Sequence, residues 1–140
     1  MRDDVRQALE IGPDSPMEAR TVDITTTGRR SGEPRRIELA FRRVKDTIYL
    51  TGVPMQQPRS WLLNLTEHPE FTFHLKNGVV ADLPATATVI TDPGERRQVL
   101  TPIVEEYNAL RDPNGPYPVG VIDEWVQYSP LARVEFDPSA

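Results

Sequence analysis

Ile37, Leu39 and Phe41 alternate with Arg36, Glu38, Ala40 and Arg42. Successive side chains of a strand point to opposite faces, so this period of two predicts a β-strand over Arg35–Val44 with one buried face. Ala19–Thr27, rich in Thr, Val and Ile, is a second strand. Thr47–Thr51 is a third, with Ile48 and Leu50 opposite Tyr49 and Thr51. Lys45-Asp46 leaves room only for a tight turn, and the short connections make these three strands antiparallel neighbours. Glu70–Lys76 alternates again, with Phe71, Phe73 and Leu75 inward and Thr72, His74 and Lys76 outward. On that pattern His74 is exposed. Asn77-Gly78 signals a hairpin. Val79–Ile90 continues as a strand, with an edge or bulge expected at Pro84. Leu131–Phe136 is the last strand, with Ala132, Val134 and Phe136 on one face.

Helical spacing recurs between these runs. Arg2–Ile11 places Val5 and Leu9 on one face, Gly12-Pro13 ends it, and Asp14–Glu18 reads as a linker. Arg59–His68 puts Trp61 and Leu65 together, with Leu62 beside them and prolines at 58 and 69 marking its ends. Asp92-Pro93-Gly94-Glu95 opens the longest helix with an acidic cap, a proline at the first position and a capping-box Glu. Its apolar face runs Val99, Leu100, Ile103, Val104, Tyr107, Leu110, and Pro102 predicts a kink. Arg111–Pro118 is a polar, proline-rich loop, and Gly120–Gln127 is a short helix or turn carrying Trp125. Six strands without βαβ alternation predict an α+β fold: a mostly antiparallel sheet or small barrel with helices packed outside. At 140 residues the chain is expected to be one domain, with residues 1–18 an N-terminal helix and linker.

Composition narrows the chemistry. The chain has no cysteine, which excludes disulfides, thiolate metal sites and cysteine nucleophiles. With only His68 and His74, no histidine-based metal site is expected. No apolar run reaches membrane-spanning length and Met1–Val5 lacks a signal-peptide core, so the expectation is a cytoplasmic protein without membrane insertion. The net charge is −5, yet seven basic and two acidic residues fall between Arg29 and Lys45. A positive cluster on an acidic protein suits a local anionic ligand and argues against nucleic acid, which needs a broad basic footprint. Within the cluster, Gly28 and Gly32 bracket Arg29, Arg30 and Ser31, and Arg35 and Arg36 follow. Flexible backbone N–H groups, a hydroxyl and planar guanidinium forks suit a phosphate or carboxylate. The start of the Trp61 helix, with Arg59 and Ser60, is a second anion-attracting feature.

Thr26-Thr27-Gly28-Arg29-Arg30-Ser31-Gly32-Glu33-Pro34-Arg35 and, further on, Trp61-Leu62-Leu63-Asn64-Leu65 ending at Pro69 resemble the deazaflavin-dependent nitroreductase family. The resemblance covers roughly Thr21–Glu106, with both motifs in the family's order. It implies a six-stranded split β-barrel of the flavin-binding kind. It also implies coenzyme F420, a deazaflavin with a phosphodiester and a polyglutamate tail, and reduction of small quinone-like or nitroaromatic acceptors. Arg30 and Arg35 match the family's basic positions, Arg29 stands in the same turn, and Ser31 and Gly32 match the turn itself. Thr51, Gly52 and Val53 match the loop that lies against the deazaflavin ring; Trp61 matches the aromatic lining that site, preceded by Ser60. Many members carry a lysine where this chain has Gly52, and Arg59 is the candidate replacement. Tyr107, Tyr117 and Tyr128 are candidates to line a pocket or donate a proton. No acid–base dyad is evident, so no catalytic residue is assigned. FMN is the alternative cofactor, and a non-catalytic carrier of a small apolar or acidic ligand is the alternative role. Split barrels of this kind often pair, and the Phe-rich strand would suit the interface of a homodimer.

Overall fold

The structure is a computed structural model and describes residues 1–140. The period-two runs become strands β1 (Thr21–Thr27), β2 (Pro34–Val44), β3 (Thr47–Thr51), β4 (Glu70–Leu75), β5 (Ala81–Val89) and β6 (Leu131–Phe136). They close into an antiparallel barrel in the order β1-β2-β3-β6-β5-β4. Closure pairs every strand on both sides and leaves no open edge. The helices are α1 (Asp3–Leu9), α2 (Met17–Arg20), α3 (Ser60–Glu67), α4 (Pro93–Leu110) and α5 (Ile122–Tyr128).

Alternation then sorts side chains into two cores. Val22, Ile24, Phe41, Leu50 and Phe73 fill the barrel, and Val5 and Leu9 of α1 pack onto the same cluster. Phe73 meets Phe41 and Phe136 edge-on, with ring centroids 5.4 and 5.2 Å away. Outside the barrel, Val99, Leu100, Ile103 and Val104 of α4 and Trp125 of α5 cover Tyr49 of β3 and Leu131 of β6. Strand β3 is therefore buried on both faces, although its sequence alternates.

Several expectations change. The first strand starts at Thr21; Met17–Arg20 forms a helical turn behind Pro16, and Arg20 is 1% exposed. Strand β5 runs unbroken through Pro84, which pairs opposite Thr72. Phe71 and Phe73 belong to the barrel interior, so β4 offers no phenylalanine interface. His74 does point outward but is 7% exposed. Its neighbours across the sheet cover it: Thr25 Oγ1 lies 2.7 Å from Nε2 and Asp82 Oδ1 lies 2.6 Å from Nδ1. Alternation assigns a face but cannot reveal which cross-strand partners close over a ring.

Two outcomes follow from this packing. Phe73→Ala should lower unfolding free energy by roughly 3–5 kcal/mol, read from denaturant curves, because a filled closed barrel has little room to collapse. The hydrogen bond from His74 holds the Asp82 carboxyl below the usual carboxylate range. Its stabilisation is present above the ordinary carboxylate pKa of about 4 and is lost as pH falls through the lower folded value. Asp82→Asn should make the loss of thermal stability on acidification shallower.

Candidate functional site

The β1–β2 connection is held closed by its own backbone. Gly28 N–H donates to the Glu33 carbonyl at 2.8 Å, and Gly32 N–H donates to the Gly28 carbonyl at 2.9 Å. Gly32 sits at φ 71°, a left-handed conformation that costs glycine little. A Cβ on Gly28 would lie 2.6 Å from Ser31 Oγ and 3.2 Å from the Glu33 carbonyl oxygen, so a side chain there would displace the Ser31 hydroxyl. Helix α3 clamps the turn from outside. Asn64 accepts the Arg29 N–H at 3.0 Å and donates to Thr26 Oγ1 at 3.1 Å. The result is a groove of about 380 Å³ walled by Arg29, Arg30, Ser31 and Arg35 on one side and by Ser60, Trp61 and Asn64 on the other. Arg35 makes one long ion pair with Glu33 at 3.5 Å, and no ion pair engages Arg29 or Arg30.

A larger cavity of about 850 Å³ adjoins the groove, and Ile37 and Trp61 belong to both. One end is formed by Thr51, Gly52, Val53, Arg59 and Trp61, the other by Arg42, Tyr107, Leu110, Arg111, Tyr117 and Trp125. At the first end Arg59 donates to the Val53 carbonyl at 3.0 Å. Its guanidinium lies against Gly52: a Cβ there would approach Nη2 to 3.1 Å. Burial lowers the Arg59 pKa from its ordinary high value. The Thr51 hydroxyl is committed to the Pro130 carbonyl at 2.6 Å. The loop 111–118 is tied over the far end, where Tyr107 donates to the Pro118 carbonyl at 2.7 Å and Arg111 to that of Tyr117 at 3.1 Å. Asn108 fastens Gly120 through both of its backbone groups. Beneath them, Glu106 of α4 accepts from Arg20 and, at 3.3 Å, from Arg42.

The structure gathers some of the expected residues and scatters others. Arg29, Arg30, Ser31, Arg35, Ser60 and Trp61 share the groove, and Thr51, Gly52, Val53, Arg59 and Trp61 share the cavity. Gly32 shapes the turn from outside the groove lining. The basic cluster read along the chain is not one patch. Arg36 pairs with Asp23 at 2.9 Å, Arg43 reaches Asp46 and the Leu9 carbonyl, and Arg42 enters the cavity. Strand alternation sends neighbouring arginines to opposite faces. Of the tyrosines, Tyr107 and Tyr117 line the cavity, and Tyr128 borders a separate depression beside Met55. Asn64 had no role in the sequence reading. Its signal was present: a polar residue on the Trp61–Leu65 face of an amphipathic helix needs a buried partner.

Residues 5–112 match the sequence profile of the F420H(2)-dependent quinone reductase family. The chain belongs to that family. Members of this oxidoreductase family draw on the reduced deazaflavin coenzyme F420. No curated protein sequence matches the chain. Among solved structures, the F420-H2 dependent reductase FDR-A is similar at 21% identity and TM-score 0.51, covering 83% of this chain and 94% of that one. A protein described as a domain-swapped dimer is similar at 19% identity and TM-score 0.53, over 96% of both chains. An FMN-binding protein related to pyridoxamine 5'-phosphate oxidase, from Nostoc punctiforme, is similar at 16% identity and TM-score 0.62, over 96% of this chain and 79% of that one. At these identities the likeness is one of fold, and all three share the barrel. No helix is long and apolar enough to cross a membrane.

The family's coenzyme is flat at one end and anionic at the other. The residues present fit both halves: a mostly apolar cavity beside an indole, adjoining a groove whose Arg29 and Arg30 have no acidic partner. Asn64→Ala should loosen that geometry. It removes an acceptor from the Arg29 amide and a donor from Thr26, and should cost about 1–3 kcal/mol of stability in chemical denaturation. Faster hydrogen exchange at the Arg29 amide would locate the loss in the turn.

Proposed function

We propose that the protein reduces a small quinone-like or nitroaromatic acceptor with coenzyme F420, the tail of the coenzyme lying in the groove and its ring in the cavity. The observation that supports this reading is that the groove and the cavity lie side by side and share a wall, Trp61 and Ile37 lining both. Arg29, Arg30 and Arg35 answer the phosphodiester and the tail carboxylates, as charge-assisted bonds that guanidiniums form well. The Ser31 and Ser60 hydroxyls stand on either wall of the same groove. Trp61 and the Thr51-Gly52-Val53 backbone bound the ring. Arg59 supplies, from the helix start, the cation that many members carry as a lysine at the Gly52 position. When bound, the reduced coenzyme supplies the hydride. The chain's own task is to position, to exclude water from the apolar cavity and to hold charge near the reacting ring. The Tyr107 hydroxyl is spent on the Pro118 carbonyl, and its burial raises its pKa, so it holds the loop rather than delivering a proton.

The FMN-binding relative in Nostoc punctiforme favours a second reading, in which the same barrel takes FMN. FMN carries one phosphate, which leaves part of the groove's cationic surface unexplained. A homodimer, as in the domain-swapped relative, and a cytoplasmic location complete the proposal.

Fluorescence titration with F420 should show binding at micromolar coenzyme. Arg30→Ala and Arg35→Ala should each weaken it by about 1–3 kcal/mol. Unchanged affinity in both variants would overturn the tail grip. A flavin absorbance spectrum in the purified protein would instead select FMN.

A further inference from the structure

Two arginines share one carboxylate beneath the cavity, and they are not equivalent. Arg20 is engaged through all three of its nitrogens: Nε donates to the Ser15 carbonyl at 3.1 Å, Nη2 to the Gly12 carbonyl at 2.5 Å, and Nη1 to Glu106. Arg42 makes a single hydrogen bond, from Nη1 at 3.3 Å, to the Glu106 oxygen that Arg20 already holds. A guanidinium carries five N–H donors. The Nε and Nη2 groups of Arg42 have no partner in the protein, and they are not among its sealed, unsatisfied atoms. Arg42 is 9% exposed, and it lines the cavity. Its remaining donors therefore open onto that space.

The charges nearby do not answer it. One carboxylate against two guanidiniums leaves a buried positive charge. Of the cavity's acidic residues, Glu38 is taken by Lys76, and Asp112 accepts from the backbone of its own loop. Arg111, at the same end, adds a second cation, whose Nε is buried without a partner. A buried charge left uncompensated is costly unless a ligand brings the opposite one. A planar fork of free donors matches a carboxylate or a phosphate, and the mostly apolar lining beside it suits the carboxylate, which is flat and carries a single charge.

Position constrains the rest of the ligand. Strand pairing sets Phe41 opposite Leu50, so Ala40 falls beside Thr51. Arg42 is two residues along on the same face, about 6.8 Å of strand. That is about the length of a fused two-ring aromatic. Apolar side chains line the cavity around this stretch, Ala40 on the strand itself, Val53 at one end and Trp125 at the other. We propose that the cavity accepts an aromatic or quinonoid acid beside the place of the coenzyme ring, its carboxylate on Arg42 and its ring between Arg42 and the coenzyme ring that the Thr51–Val53 backbone bounds, with Arg111 at the mouth. This specifies the acceptor class of the reductase reading and rests on it for the redox role, but the anion site itself does not need the coenzyme.

The test uses the coenzyme-free protein. Calorimetric titration with 2-naphthoate and with its neutral isostere 2-naphthamide should show the acid binding at least about tenfold tighter, the ratio one charge-assisted contact supplies. Arg42→Met should abolish that ratio, leaving the amide's affinity unchanged. Arg42→Lys should keep the charge and part of the ratio, which separates recognition from folding. Equal affinity for acid and amide in the native protein would overturn the proposal. So would equal losses for both ligands in Arg42→Met. With coenzyme present, a carboxylated naphthoquinone should show a KM about tenfold below that of the neutral quinone, at similar kcat. Reduction of the neutral quinone without acid selectivity would sink the anion site and leave the reductase reading standing. Selective naphthoate binding with no F420 binding would do the reverse.

Discussion

Closure of the barrel is the constraint from which the site follows. Six antiparallel strands pair in a ring, and each residue is committed to the inside or the outside. The inside is filled by Phe41, Leu50, Phe73 and their neighbours, as small barrels must be. No ligand can enter it. Any cavity has to lie between the outer wall and what packs on it, and here that wall is the β2–β3 face roofed by α4, α5 and the loop after α4. The Tyr107, Asn108 and Arg111 bonds tie that roof down, while the Thr51–Val53 backbone with Arg59 and Trp61 forms the opposite end.

Helix α3 joins the two halves of the site. One face carries Leu65 into the barrel core, and the same face carries Trp61 and Asn64 to its margin. Asn64 converts a mobile class of structure, a glycine-bracketed turn, into a fixed wall by bonding its first amide and the strand before it. Trp61 is both a core residue and the partition between groove and cavity. Stability and ligand geometry are thus carried by the same side chains.

Electrostatics divides along the same lines. In the groove, Arg29 and Arg30 are solvated and cheap to hold charged, so an anion gains from them only when it brings several charges at once. In the cavity, Arg42 and Arg59 are desolvated, and burial pushes both pKa values down from their ordinary range without approaching neutrality at physiological pH. Fewer buried donors count for more, because water no longer competes for them. The two regions are suited to different tasks: one to hold a polyanionic chain, the other to choose among flat ligands.

Local pattern was sufficient for the six strands, for helices α1, α3 and α4, and for the antiparallel pairing of β1-β2-β3 and of β4 with β5. Those depend on period, capping and turn residues, all written in short windows such as Ile37-Glu38-Leu39 or Asp92-Pro93-Gly94-Glu95. The glycine-bracketed turn and the Trp61 helix were legible as motifs for the same reason, and so was family membership. Burial of His74, dispersal of Arg36, Arg42 and Arg43, the Arg20–Glu106–Arg42 cluster and the Asn64 clamp were not. Each depends on partners far along the chain, 86 residues apart for Arg20 and Glu106. A side chain's face is a local property, but what stands across from it is decided only when the barrel closes and the helices settle on its wall.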